Sequence, residues 1–251
     1  MNRVERFVKI IKSEFPDDRL TYQKAIPTFH PESAKDASAL FRLANKHSAK
    51  VFITGFGNNV DPQGERFADV VCIRTDRLND VHALVLEDFY IEVGSGFPLL
   101  EINQIVRKRN LSVSLPHSLL PYVGSVGGAI AVGLSSELNG HDYPLKKYLL
   151  KAEFVTPEGE IIKPGSTCFK SVSGYDIVKI FAGSWGLLGL IISATFRLVP
   201  DELAPDFAGM KMKAIDRARF LRALNDKDAT ESDYSRKIRA RFDPNEVLPI
   251  V

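Results

Sequence analysis

Four glycines set among small apolar residues, Gly124, Gly127, Gly128 and Gly133 in the run YVGSVGGAIAVG from Tyr122 to Gly133, mark a backbone that approaches something closely. A turn feeding a short Ala/Val helix offers unpaired amide N–H groups at a positive dipole end, which suits the phosphates of a nucleotide cofactor. Close packing of a small-residue helix on a sheet accounts for the same composition, so this stretch alone leaves two readings. A second glycine-bearing turn, Gly55-Phe56-Gly57-Asn58-Asn59, follows Thr54. Its successive N–H groups, helped by the short side chains of Thr54, Asn58 and Asn59, could form an anion-binding nest, with a polar turn between strands as the alternative. Val60 stands where a dinucleotide fingerprint needs its third glycine, and Pro62 and Gly64 prevent an immediate helix, which disfavours a Rossmann domain. A third cluster, Phe181 to Gly189, holds the only tryptophan, Trp185, among glycines. No HxxxH, HExxH or carboxylate pair supports a metal.

The elements that position these loops are legible from periodicity. Val4, Phe7, Val8, Ile11 and Phe15 recur at helical spacing after Asn2, a capping residue, and Pro16 ends that helix. An irregular stretch with Pro27 and Pro31 precedes a second helix, Ser33 to His47, with Ala37, Leu40, Phe41 and Ala44 on one face. Lys50 to Thr54 and Val70 to Arg74 read as strands, and Val81 to Leu86 with Phe89 to Val93 as a hairpin turning at Glu87-Asp88. Gly94-Ser95-Gly96 breaks the pattern before a helix from Leu99 to Val106, whose closing Arg107-Lys108-Arg109 suits a helix C-terminus. Leu111 to Leu115 alternates as a strand into Pro116-His117, delivering the chain to the first glycine run. Tyr148 to Thr156 and Glu160 to Lys163 flank a hairpin turn, and Leu190 to Val199 is a buried strand. Beyond Pro200 the chain is highly charged, with one helix candidate from Asp216 to Leu224. Strands interleaved with helices, with hairpins in the second half, predict an α+β fold with mixed sheets.

At 251 residues the chain accommodates one large domain or two packed lobes. A net charge of +2 gives no global basic field for nucleic acid. Cys72 and Cys168 belong to no metal-spaced or CxxC cluster and are read as reduced. The charged opening residues lack the apolar run of a signal peptide, and the longest apolar run, around Ile177 to Leu198, is broken by Lys179, Ser184, Ser193 and Arg197. These features predict a cytoplasmic protein with no membrane span.

Three separated stretches, in order, resemble the FAD-linked oxidases named after vanillyl-alcohol oxidase and p-cresol methylhydroxylase, over Leu20 to Pro200. Thr-Gly-Phe-Gly-Asn-Asn, from Thr54 to Asn59, resembles the family's glycine-rich pyrophosphate loop. PHSLLPYVGSVGGAIAVG resembles its proline-led, Thr/Ser-x-Gly-Gly segment along the flavin, and GYDIVKIFAGSWGLLGLI its last Gly-Ser-x-Gly-x-Leu-Gly-x-Ile signature. The group containing D-lactate dehydrogenases and the FAD-binding subunit of glycolate oxidase is the most similar in character.

The resemblance implies two α+β lobes, about 20–110 and 111–200 within an FAD-binding domain of 1–200, with FAD between them. It implies that Thr54, Gly55, Phe56, Gly57, Asn58 and Asn59 hold the pyrophosphate through backbone amides. Pro116, His117, Gly124, Ser125, Gly127, Gly128 and Gly133 would run along the flavin side, with Gly186, Gly189 and Ile191 closing the adenosine or flavin edge. Phe56 replaces the middle of three usual glycines, and Trp185 and Leu187 stand where Glu and Thr are common. Covalent members commonly carry a histidine in the first loop; none is present, which implies dissociable FAD. Only about 40 residues separate Pro200 from Phe242, too few for the usual substrate, or cap, domain. Yet Phe242-Asp243-Pro244-Asn245, with Pro249, resembles the family's closing motif. Segment 201–251 thus stands in place of the cap. The resemblance implies an FAD-binding component of an oxidoreductase for a 2-hydroxy acid or related alcohol, completed by a protein partner or a second copy, or else a module without turnover. His117, His141, Tyr143 and Tyr175 are the candidates for a base within or near the matched segments.

Overall fold

The computed structural model describes residues 1–58, 60–113, 124–138, 140–167, 177–204, 211–213 and 230–250. Helix α1 (Arg3–Glu14) starts on a reciprocal cap: Glu5 N donates to Asn2 Oδ1 at 2.7 Å, and Asn2 N donates to Glu5 Oε2 at 3.1 Å. Strands β1 (Leu20–Gln23) and β2 (Ile26–Phe29) form an antiparallel hairpin where sequence predicts an irregular stretch. Lys24 and Ala25 make its turn at φ 48° and 68°, a conformation that Asn-Gly signals and Lys-Ala does not. Pro27 is tolerated because β2 pairs with its other neighbour only from Thr28 onward, beyond the residue lacking an N–H.

Helix α2 (Ala34–Lys46) is capped by Ser33, whose hydroxyl accepts Asp36 N at 3.1 Å. Strands β3 (Lys50–Thr54) and β4 (Val70–Arg74) take their expected bounds and run parallel, giving the order β1-β2-β4-β3. Phe7 and Ile11 of α1, Leu40 and Phe41 of α2, and Val51, Val71 and Ile73 of the sheet share one core.

A second sheet is antiparallel, ordered β11-β10-β12-β6-β5. Its strands are β5 (Val81–Val85), β6 (Tyr90–Gly94), β10 (Leu149–Val155), β11 (Ile161–Ile162) and β12 (Leu190–Arg197). Helices α3 (Leu99–Val106), α4 (Val126–Ala131) and α5 (Ile177–Phe181) contribute Ile102, Ile130 and Phe181 to its core with Ile91, Phe154 and Phe196. The strands divide between the two sheets after Arg74 and before Val81, whereas the lobes expected from sequence divide near residue 110. The pair β5 and β6 joins the second sheet because β6 lies against β12, from Gly94 opposite Ser193 to Tyr90 opposite Arg197.

The lobes are joined through α2 and the hairpin β10–β11: Ser38 Oγ donates to Gly159 O at 2.5 Å and Asn45 Nδ2 to Pro157 O at 2.6 Å. Val155, Leu190 and Ile192 of the second sheet belong to the core of the first. Short strands β7 (Leu111–Ser112) and β13 (Val199–Pro200) pair, as do β8 (Ser135–Leu138) and β9 (His141–Pro144), with β14 (Lys211–Lys213) on the other side of β8.

The described end of the charged C-terminal segment packs against the first lobe. Helix α6 (Thr230–Phe242) leads to buried Asp243, whose carboxylate accepts Val247 N at 2.7 Å and Leu248 N at 2.8 Å. Val51 N, on the edge of β3, donates to Val247 O at 2.9 Å, and Val247 and Leu248 enter the first core. Burial pushes the Asp243 carboxyl above the ordinary carboxylate range, against the lowering effect of those two amides and of Arg239 and Lys50. The helix expected from Asp216 to Leu224 lies outside the described residues.

Candidate cofactor-binding site

A cleft opens at the carboxyl ends of the parallel strands β3 and β4, where ligands of α/β sheets commonly sit, and holds about 740 Å³ of empty space including its mouth. The first lobe supplies Thr54 to Asn58 and Thr75; the second supplies Gly124 to Gly128 at the start of α4 and the segment Trp185 to Ile191. The structure therefore brings together twelve residues named from sequence: Thr54, Gly55, Phe56, Gly57 and Asn58, then Gly124, Ser125, Gly127 and Gly128, then Gly186, Gly189 and Ile191. Asn59, Pro116 and His117 lie outside the described residues.

Gly133 is placed elsewhere, against a separate cavity lined with Ala129, Ile130 and Leu134. Its φ of 64° makes it the stop of α4: Gly133 N donates to Ile130 O at 3.0 Å and Leu134 N to Ala129 O at 2.9 Å, the paired bonds of a Schellman ending. The glycine serves the helix, and its place on the cleft wall is corrected.

The start of α4 does not present free amides either. Val126 N donates to Phe97 O at 3.0 Å, Gly127 N to Ser95 O at 2.7 Å, and Gly128 N to the Ser125 hydroxyl at 3.1 Å. The helix has only six residues, and its first three donors are consumed by the protein. A Cβ on Gly127 would stand 2.9 Å from Ser95 Cβ, so that glycine is required by packing on the Gly94-Ser95-Gly96 turn. Gly128 differs. A Cβ there meets only Ser125 Oγ at 3.1 Å, and the rest of its surroundings is the open cleft.

Donors remain on the opposite wall. Among the described residues, the amides of Gly55, Phe56, Gly57 and Asn58 donate to no backbone carbonyl, and Gly57 adopts φ 83°, as a nest of converging N–H groups requires. Phe56, at the place of a usual glycine, is accommodated by Gly124, where a Cβ would come within 2.3 Å of its ring. Arg74 Nη2 donates to Phe56 O at 3.3 Å and holds the loop to the end of β4.

Two side chains absent from the sequence-derived set also reach the cleft. The Thr75 hydroxyl and the Trp185 indole N–H are buried without a hydrogen-bond partner among the described residues. Thr75 is placed by its amide on Thr54 O at 3.2 Å, and Trp185 by its amide on Ala131 O at 2.9 Å. Nothing in the spacing of Thr75 connects it to the 55–58 loop, because only parallel pairing with β3 brings it there; the Gly94-Ser95-Gly96 run was the visible clue to a chain crossing. At Gly96 a Cβ would fall 1.9 Å from Thr75 O, so the two segments touch backbone to backbone.

Residues 27–165 match the family described as FAD binding domain. The chain belongs to this family. This FAD-binding domain is 29% identical to the mitochondrial D-lactate dehydrogenase [cytochrome] of Arabidopsis thaliana, covering 72% of this chain and 34% of that protein. It is 25% identical to glycolate oxidase subunit GlcD of Bacillus subtilis, covering 68% and 36%. The chain thus spans about a third of the length of these relatives. A solved alkyldihydroxyacetonephosphate synthase superposes with a TM-score of 0.61 at 20% identity, covering 78% of this chain and 40% of that one. The fold is the α+β, two-lobed arrangement of the vanillyl-alcohol oxidase and p-cresol methylhydroxylase type.

The cleft fits the cofactor that the family binds. Among the described residues it has amides without a backbone acceptor on one wall, a Gly128 surface that a side chain would fill, and two buried donors without a partner. Among the described residues no group of His, Cys, Asp and Glu could hold a metal ion, and no helix is long and apolar enough to cross a membrane.

Proposed function

We propose that this domain is the FAD-carrying component of an oxidoreductase for a 2-hydroxy acid or related alcohol, of the D-lactate or glycolate type, and that a partner subunit or second copy completes its active site. The observation that carries this reading is the chemistry of the cleft wall. It is furnished with donors for a cofactor, yet none of the described residues lining it is Asp, Glu, His, Cys, Tyr, Lys or Arg. Oxidising a hydroxy acid needs a base within reach of the hydroxyl proton. Of the four candidates named from sequence, His141 and Tyr143 lie on β9 and do not line the cleft, while His117 and Tyr175 lie outside the described residues.

Bound FAD supplies the two-electron redox chemistry. The chain's own residues then bind and orient. The 55–58 amides would meet negative charge, Gly127 and Gly128 would present a surface without side chains, and Gly186 to Ile191 would help to close the cleft over the ring. The first loop, Thr54 to Asn59, carries no histidine, which supports a cofactor held non-covalently. The base comes from whatever faces this wall.

The same lack of titrating groups supports a second reading, an FAD-binding module with an assembly role and no turnover. The two separate in one experiment. The purified chain is reconstituted with FAD and its visible spectrum recorded; D-lactate or glycolate is then added without oxygen, alone and with candidate partner proteins. Bleaching by substrate in the presence of a partner supports the first reading. Persistent colour under every substrate and partner supports the second, and absence of flavin absorbance after reconstitution overturns both.

A further inference from the structure

We infer that the Trp185 indole N–H is a cofactor-positioning donor, reaching from the second lobe to an acceptor atom on a heteroaromatic ring of bound FAD. The inference rests on the FAD reading above. Trp185 is the chain's single tryptophan, and its indole packs against the second core while lining the cleft. Its Nε1 is inaccessible to solvent and has no acceptor among the described residues. Buried indole N–H groups ordinarily find a partner, and an apolar ring of similar bulk would fill this place without an orphaned donor.

The backbone adds a second argument. Trp185 sits at φ 53°, a left-handed conformation unfavourable for a bulky residue, and is flanked by Gly183 at φ 86° and Gly186 at φ 77°. The Trp185 amide on Ala131 O fixes that conformation and ties it to the end of α4. A strained, fixed tryptophan whose one polar side-chain atom lacks a partner among the described residues is accounted for by an acceptor that arrives with the ligand. On the facing lobe the Thr75 hydroxyl, 4% exposed and also unpartnered, lines the same cleft. The two donors let the cofactor be gripped from both lobes.

One tryptophan gives one indole N–H signal, so the full chain labelled with ¹⁵N reports on it directly. Saturating FAD should move that cross-peak downfield and slow its exchange with solvent. Titrations with ADP and with riboflavin assign the ring, since the half-molecule that moves the peak carries the acceptor. Trp185→Phe should bind FAD about tenfold more weakly and Thr75→Val several-fold more weakly, with circular dichroism unchanged. A yellow, FAD-loaded chain whose indole signal neither moves nor gains protection overturns the inference and leaves the FAD reading standing. So does a folded Trp185→Phe that binds FAD as the parent does. Should Trp185→Phe fail to fold, the cross-peak of the parent chain still decides. A chain that takes up no FAD at all sinks the reading and the inference together.

Discussion

The two walls of the cleft carry similar sequences and use them in opposite ways. Among the described residues, the amides of Gly55 to Asn58 donate to no backbone carbonyl, whereas those of Val126 to Gly128 are committed to Phe97, Ser95 and the Ser125 hydroxyl. In the first loop glycine permits a nest conformation; in the second, at Gly127, it permits close contact between two protein backbones. Glycine content therefore locates a close approach without saying whether protein or ligand is the neighbour. The adjacent Gly127 and Gly128 divide between those two answers.

The largest test of this contrast is Gly127→Val. Forcing a side chain against Ser95 should lower stability by about 2–3 kcal/mol in urea unfolding, whether or not FAD is present. A variant as stable as the parent would mean that the second wall is not closed by packing.

The Cys72 thiol reports whether such damage stays in the second lobe. It lies 1% exposed in β4, and burial pushes its pKa from 9.0 up to about 12. Between those values the unfolded chain has lost a proton that the native chain keeps. Stability should therefore fall by about 1.4 kcal/mol per pH unit above pH 9 for this group alone. Comparing alkaline unfolding with Cys72→Val checks the slope, and an identical pH dependence in the two proteins would remove Cys72 as the cause. In Gly127→Val, a thiol still protected from alkylation would confine the damage to the second wall.

Ser125→Ala should cost about 1 kcal/mol, because Gly128 N loses its hydroxyl acceptor. Unchanged stability would show that this amide is not tied up by the cap. The smallest change in stability belongs to Gly128→Ala, within about 0.5 kcal/mol, since better helix propensity offsets a slight contact with Ser125 Oγ. Its FAD affinity should nevertheless fall about tenfold by equilibrium dialysis. Parental affinity would assign Gly128, like Gly127, to packing alone.

Sequence made much of this arrangement readable where chemistry is local. Asn2 announced its helix, and β3 and β4 matched their expected bounds because apolar runs there end at a turn. The β1–β2 hairpin was hidden because Lys24-Ala25 carries none of the usual turn chemistry and Pro27 argues against a strand. At the site, three loops distant in sequence were brought to one cleft, but the glycines alone could not distinguish a helix stop at Gly133 from a wall at Gly128. Thr75 stayed invisible because its role depends on parallel register, a relation between Thr54 and Arg74 that neither segment encodes alone.

The Asp243 turn also has a bearing on the order in which the chain assembles. The core of the first lobe takes Val155, Leu190 and Ile192 from the second sheet and Val247 and Leu248 from the end of the described chain. During synthesis its helices and strands emerge before those of the second sheet, yet they remain unsealed until Val247 and Leu248 have left the ribosome. The first lobe to be made is thus the last to be completed, and this long delay exposes β3's outer edge, later occupied by Val247, to wrong partners in the meantime.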